Sequence, residues 1–216
     1  MFYRKIWPEV SAEIETLFQE SSKSIELKRG DLLYRQGDGP QGIYFIQSGL
    51  IGLSLIGASS GKEHFVRFFR AGHFCGHRSL FANEGHHATA VALEKGIVTF
   101  LPKSVIQKAF QDFPELYRGI VAVLAKELRR AEVKHVMVLE NQVLARTAQS
   151  LVYLKELHPE HNWTRQEIAS FCASTTSTII RALGSLEERG LISQQGREIM
   201  IKDREALLSI SENEQV

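Results

Sequence analysis

The chain has 216 residues, 44% hydrophobic and 24% charged, with 26 Lys+Arg against 25 Asp+Glu for a formal net charge of +1. These values exclude fibrous, collagen-like and wholly disordered classes, and exclude a molecule that attracts polyanions by overall charge, while allowing a local basic face. Two cysteines, Cys75 and Cys172, build no disulfide framework and cannot give four thiolates to an iron-sulfur cluster. With no run of about eighteen apolar residues, and charged sequence after MFYRKIWPEV, the expected setting is the reducing cytoplasm without a membrane contact. The length allows two domains.

Residues 8–20, PEVSAEIETLFQE, place Val10, Ile14, Leu17 and Phe18 at helical spacing with Pro8 near the start, which predicts a short amphipathic helix. From 24 to 101 come the short runs SIELKR, DLLYRQ, GIYFIQ, LIGLSLIG, EHFVRFF, HATAVALE and GIVTFLP. Between them lie the glycine-bearing turns RGD, QGDGP, QSG, SGK and EKG. This spacing predicts a compact antiparallel sandwich or barrel, and the loose alternation of EHFVRFF predicts some strands buried on both faces. Within this region His64 and the stretch AGHFCGHRSLFANEGHHATA, residues 71–90, hold five of the eight histidines beside Cys75. A metal or haem site, an anion cradle and a merely imidazole-rich loop are all open readings there.

Helical texture starts near Pro102. Ser104 is the expected cap of a short helix, and Pro114 restarts a longer one carrying Leu116, Ile120, Leu124, Leu128, Ala131, His135 and Val138 at spacings of three or four. A stripe of this length needs a cover, either a two-fold partner helix or the chain's own barrel. His135 either lines a pocket across such a dimer or is a hydrogen-bonded stripe residue. LARTAQSLVYLKELH predicts a further helix ending at His158 and Pro159.

The most specific segment is TRQEIASFCASTTSTIIRALGSLEERGLISQQGREIMIKDREAL, residues 164–207. Thr164 and Glu167 form a capping box for a helix with inner face Ile168, Ala169 and Phe171. CAST breaks the helix, and Ser174 or Thr175 caps a second one whose Ile179, Leu183 and Leu186 point inward. Gly190 stops it, LISQQGREIMIK reads as two strands joined at Gln-Gly, and Asp203 caps a last short helix. Helix, turn, helix and hairpin is the winged arrangement that lays its second helix in a DNA major groove. There Arg181 can fork onto guanine O6 and N7, Thr175, Thr176 and Ser177 can reach bases or phosphates, and Arg165, Arg197 and Lys202 are candidate phosphate contacts.

The glycine-punctuated strands, the long helix and "TRQEIA...TTSTIIRALGSLEERGLI" resemble, over nearly the whole chain, the cyclic-AMP receptor protein and FNR (CRP/FNR) family of bacterial transcription regulators. The resemblance implies an α+β fold: an N-terminal double-stranded, cyclic-nucleotide-binding-like β-roll over 1–112, a dimerisation helix over 113–139 and a winged helix-turn-helix over 140–216. It further implies a homodimer on a palindromic double-stranded DNA operator with half-sites roughly 34 Å apart, RNA polymerase as a partner, a small-molecule effector and no catalysis. The hinge is expected around Leu139 to Asn141. Two departures bear on specificity. Ser177 stands where the family's recognition helix often has a glutamate, while Arg181 keeps the family arginine. In the phosphate cassette Gly76 is retained, but His77 replaces the ribose-binding glutamate and His87 the phosphate-binding arginine.

Cyclic AMP in the usual mode is therefore not expected, because imidazole does not accept two ribose hydroxyls as a carboxylate does and is mostly neutral near pH 7. Gly76, His77, Arg78, Ser79, His87, Ala88 and Thr89 form the expected effector pocket, with Arg78 open to a different nucleotide or acidic metabolite. FCGH also places Cys75 and His77 where the haem-containing members have their ligands, so haem is a second reading, and a zinc-type site drawn from His73, Cys75, His77, His86 or His87 a third. Two rivals lie outside the regulator class. A cupin-like metal enzyme needs a His-x-His triplet that is absent, and a cyclic-nucleotide module of a larger signalling assembly has no use for the winged segment.

Overall fold

The computed structural model describes residues 2–58 and 61–210. Ser60 of the expected SGK turn and residues 211–216 of the expected C-terminal domain lie outside them. The chain divides into two compact units, one of Met1–Ile56 with Val66–Leu128, the other of Gly57–Phe65 with Arg129–Val216. No described helix is long and apolar enough to cross a membrane.

The first unit opens with helices α1 (Phe2–Ile6) and α2 (Ala12–Ser21). The helix expected over 8–20 thus begins at Ala12, because Ser11 accepts the Ile14 N–H and Pro8 precedes the cap. Strands β1 (Lys23–Leu27), β2 (Leu32–Tyr34), β3 (Gly42–Ser48), β4 (Leu50–Ile56), β5 (Glu63–Arg70), β6 (Phe74–Cys75), β7 (Thr89–Ala92) and β8 (Gly96–Pro102) follow, with helix α3 (His77–Ala82) between β6 and β7. They form two antiparallel sheets, ordered β1-β8-β3-β6 and β2-β7-β4-β5. Every expected strand is present; the short β6 and the cassette helix α3 were not foreseen.

Burial on both faces is clearest in β3. Ile43 and Phe45 join a cluster with Tyr3, Trp7, Phe18 and Phe110 from the helices, whereas Ile46 joins Leu53, Phe69, Cys75, Ala88 and Val98 between the sheets. Helix α4 (Lys103–Asp112) has Pro102 at its cap position, and Ser104, the expected cap, lies within the first turn. The Lys103 N–H instead donates to the Gln41 carbonyl at 2.7 Å, so the neighbouring backbone does the capping.

Helix α5 (Leu116–Glu140) explains why the expected stripe splits. Steps of four residues overshoot the helical repeat, so the line from Leu116 to Leu128 drifts by about 120° around the axis. Leu116 and Ile120 are buried against the helices of the first unit, Val123 and Leu124 pack beside them, but Leu128 is 61% exposed. Tyr117, Val121, Val133, Val136 and Leu139 are exposed apolar residues as well, and His135 is exposed. The helix ends at Glu140, and α6 (Val143–Leu157) starts three residues later, a break where the hinge was expected.

In the second unit α6 supplies Leu144, Ala148 and Leu151, all fully buried, as a floor for α7 (Arg165–Phe171) and α8 (Thr176–Glu188). The Thr164 and Glu167 capping box forms in both directions, and the Glu167 carboxylate also meets His161 Nε2 at 3.1 Å. Thr175 caps α8. Strands β9 (Ile192–Gln195) and β10 (Glu198–Ile201) pair so that Gln195 faces Glu198, which puts Gly196 and Arg197, one residue later than expected, in the turn. Asp203 caps α9 (Arg204–Leu208).

Candidate nucleic-acid interface and ligand pocket

Helix α8 is amphipathic in the strict sense. Ile179, Leu183 and Leu186 are fully buried, while Thr175, Thr176, Ser177, Ile180 and Arg181 are exposed along the N-terminal half. Thr175 serves the helix first: its Oγ1 accepts the Thr178 N–H at 3.2 Å and lies 3.0 Å from Ser177 Oγ. Thr176, Ser177 and Arg181 therefore remain the side chains presented outward among the sequence candidates.

The hairpin is held rigidly beside this helix. Glu187, at the end of α8, accepts both the backbone N–H and the side-chain amide of Gln194 at 2.6 and 3.0 Å. Arg165 donates to Gln194 Oε1 and to the Arg197 carbonyl, each at 2.7 Å. The guanidinium expected to meet phosphate thus braces the wing, and Arg197 and Lys202 are the exposed cations of the hairpin. Glu63 and Phe65 are tied to this unit through Ser170, whose Oγ accepts the Phe65 N–H at 2.7 Å and donates to the Glu63 carbonyl at 3.0 Å. Lys134 donates to the Phe65 carbonyl and lies 3.5 Å over the Phe171 ring, and burial lowers its pKa to about 8. Neither Ser170 nor Lys134 stood out in the sequence.

In the first unit Gly76 enters α3 at φ +89, where a Cβ would sit 2.9 Å from the Gly42 carbonyl, so glycine is required. The next two side chains converge on a residue the sequence reading missed. Glu127 of α5 accepts from Arg67 at 2.8 Å, from Arg78 Nε at 2.7 Å and meets His77 Nε2 at 3.1 Å. Glu127 lies eleven residues past Leu116, which returns it to within about 20° of the buried line. That inward phase was the available signal. Burial pushes the Glu127 carboxyl up, but the His77 hydrogen bond and the two guanidiniums outweigh it and hold it at about 2. Burial lowers the His77 pKa more than Glu127 raises it. A neutral imidazole donating from Nε2 leaves Nδ1 as a bare acceptor, and this atom has no hydrogen-bond partner.

Tyr34, Leu53, Phe69, Gly76, His77, Arg78, Ser79 and His87 line a pocket of about 10 Å³, room for roughly one water. Burial lowers the His87 pKa, and the Arg78 guanidinium adds to it. Burial thus disfavours the charged form of both His77 and His87, while the Arg67 and Arg78 guanidiniums both face the Glu127 carboxylate. Two expected pocket residues lie elsewhere: Ala88 is fully buried between the sheets, and the Thr89 Oγ1 accepts the Gln36 N–H at 3.1 Å. Tyr34, Leu53 and Phe69 take their places in the lining.

The candidate haem and zinc donors are spread over different partners in this arrangement. Cys75 is buried in the apolar layer between the sheets, where desolvation pushes its thiol up to about 12. His77 spends Nε2 on Glu127 and packs edge-on against Phe74, a residue of the other cluster. His86 stacks on Tyr34 at 3.6 Å, and His73 Nδ1 accepts the Arg70 N–H. Among the described residues no three His, Cys, Asp or Glu side chains are grouped to hold a metal ion.

A cyclic nucleotide-binding domain model matches residues 24–113, and a Crp-like helix-turn-helix domain model matches residues 145–210. The chain is 24% identical over 208 residues to an anaerobic regulatory protein of Pasteurella multocida, covering 92% of this chain and 76% of that one. It is 23% identical over 192 residues to a CRP-like cAMP-activated global transcriptional regulator of Mycobacterium tuberculosis, 85% of each chain. Among solved structures, FixK2 from Bradyrhizobium japonicum superposes with a TM-score of 0.77 at 21% identity, over 86% of this chain and 95% of that one. The c-di-GMP responsive global regulator CLP of Xanthomonas campestris gives 0.76 at 20% identity, over 88% and 99%.

A cyclic-nucleotide-binding-type β-roll followed by a DNA-binding winged helix is thus the class these observations define. The chain belongs to the CRP/FNR family of transcription regulators, and its relatives are regulators of transcription rather than enzymes.

Proposed function

We propose that the chain is a homodimeric, cytoplasmic regulator that reads a palindromic operator through Thr176, Ser177 and Arg181, engages RNA polymerase there, and responds to a small organic anion bound on the Arg78 side of the pocket. The observation that carries the DNA-reading part is the outward row of hydroxyls and one guanidinium on a helix whose opposite face is wholly buried. Pairing is supported by the apolar residues that α5 leaves in the open, among them Val121 at 60% and Leu139 at 69% exposure. The anion is supported by the Arg78 guanidinium, which lines the pocket with its side chain 35% exposed, and by relatives described as cAMP-activated and c-di-GMP responsive, both of which answer to phosphate-bearing ligands.

Cyclic AMP itself is not the effector in this reading. His77 already gives Nε2 to Glu127, and His87 is neutral, so neither reproduces a carboxylate on ribose or a guanidinium on phosphate. Haem is not part of it either, and the purified chain is expected to show no Soret band. Sedimentation of the free chain, and DNA binding to a selected operator with and without a panel of nucleotides and organic acids, test the proposal. A dimer whose affinity moves with an anion supports it. A monomer, or indifference to every anion, contradicts its dimer or effector part respectively.

A further inference from the structure

Ile180 is 55% exposed, on a helix that buries its other large aliphatic side chains completely. It is not a stray surface residue. Ile180 lies one turn beyond Thr176, three residues after Ser177, next to Arg181 and one turn before Gly184, so it occupies the middle of the outward row rather than its margin. A β-branched aliphatic side chain on that row gains nothing from water and makes no hydrogen bond to a base or phosphate. Gly184 adds a separate observation. A Cβ there would meet nothing within 4 Å, so no packing inside the described protein asks for glycine in mid-helix, where glycine is unfavourable. Glycine in such a place suits close approach of an outside surface.

The geometry points to Ile180 as a specificity-determining residue that packs against the 5-methyl group of thymine in the major groove, beside the base read by Arg181. The inference rests on the DNA-reading function proposed above. Thymine carries the only methyl group on the major-groove edge of DNA, so an apolar side chain between a hydroxyl and a guanidinium discriminates thymine from the other three bases by contact alone. Gly184 lets the helix lie deep enough for that contact.

The test uses the full chain. Selection from a random duplex library defines the preferred site, and each thymine in it is then replaced in turn by uracil, which keeps every hydrogen bond and removes only the methyl. At one thymine per half-site the parent chain is expected to lose roughly fourfold in affinity, the worth of one buried methyl group. Ile180→Ala is expected to bind thymine and uracil versions equally, and, being an exposed change, to melt at the parent temperature. Ile180→Val, which keeps the branch, retains the discrimination. Absence of any uracil-sensitive thymine, or equal sensitivity in parent and Ile180→Ala, overturns the inference while leaving the regulator intact. A parent chain that selects no sequence removes both.

Discussion

Glu127 shows how one side chain ties a helix to the residues that line a pocket. Its carboxylate is fixed at about 2 by His77, Arg67 and Arg78, against an ordinary 4.5. A carboxylate whose folded pKa is depressed contributes stability that is complete above 4.5 and lost as the pH falls toward 2, here about 3 kcal/mol. The imidazoles act earlier. Buried His77 and His86 resist protonation in the folded state, and so, more weakly screened from solvent at an exposed position, does His87; the unfolded chain therefore takes up more protons below 6.5 and stability falls there too. Denaturant unfolding between pH 8 and 3 is expected to lose stability in two stages, and Glu127→Gln to flatten the lower one; an unchanged lower stage contradicts the account. Gly184→Ala is a second test at this scale. With open space before its Cβ, the change is expected to raise stability by about 0.5–1 kcal/mol in thermal melts, whatever it does to DNA affinity.

At the scale of elements, what could be read from sequence was local. The Thr164 and Glu167 box, the Asp203 cap and the glycine stop at Gly190 depend on residues within four positions of each other, and each is where the spacing put it. The strands were legible for the same reason, through glycine-bearing turns. What could not be read was long-range. Within the expected stripe on α5, spaced by three or four, the stretch from Leu116 to Leu128 runs only in fours, which hides its drift from buried Leu116 to exposed Leu128, and Glu127, a charged residue on the buried line, looks like surface. Ile180 was hidden because an apolar residue beside Ile179 reads as core. The dock of Glu63 and Phe65 on Ser170 spans more than a hundred positions and has no local signature. Ser170→Ala removes both hydrogen bonds and is expected to cost about 1–2 kcal/mol, with faster amide exchange at Phe65; unchanged exchange contradicts the dock. Thr164→Ala is expected to cost about 1 kcal/mol through the lost cap.

For the whole molecule, two propositions follow from surfaces that each unit leaves uncovered. The exposed face of α5 calls for a second copy, so Leu128→Glu, which changes an exposed residue and should leave the monomer folded, is expected to sediment as a monomer. The outward face of α8 calls for DNA, and pairing sets the spacing at which two such faces meet it. The account stands on that second surface, and the most direct measurement is site selection from random duplexes with the parent chain and with Arg181→Ala. The parent is expected to enrich a two-fold symmetric site with half-sites one helical turn apart, roughly 10 base pairs, and Arg181→Ala to bind it about 1–3 kcal/mol more weakly with relaxed preference at one base pair per half-site. No enriched sequence with the parent, or the same sequence bound equally by Arg181→Ala, contradicts it.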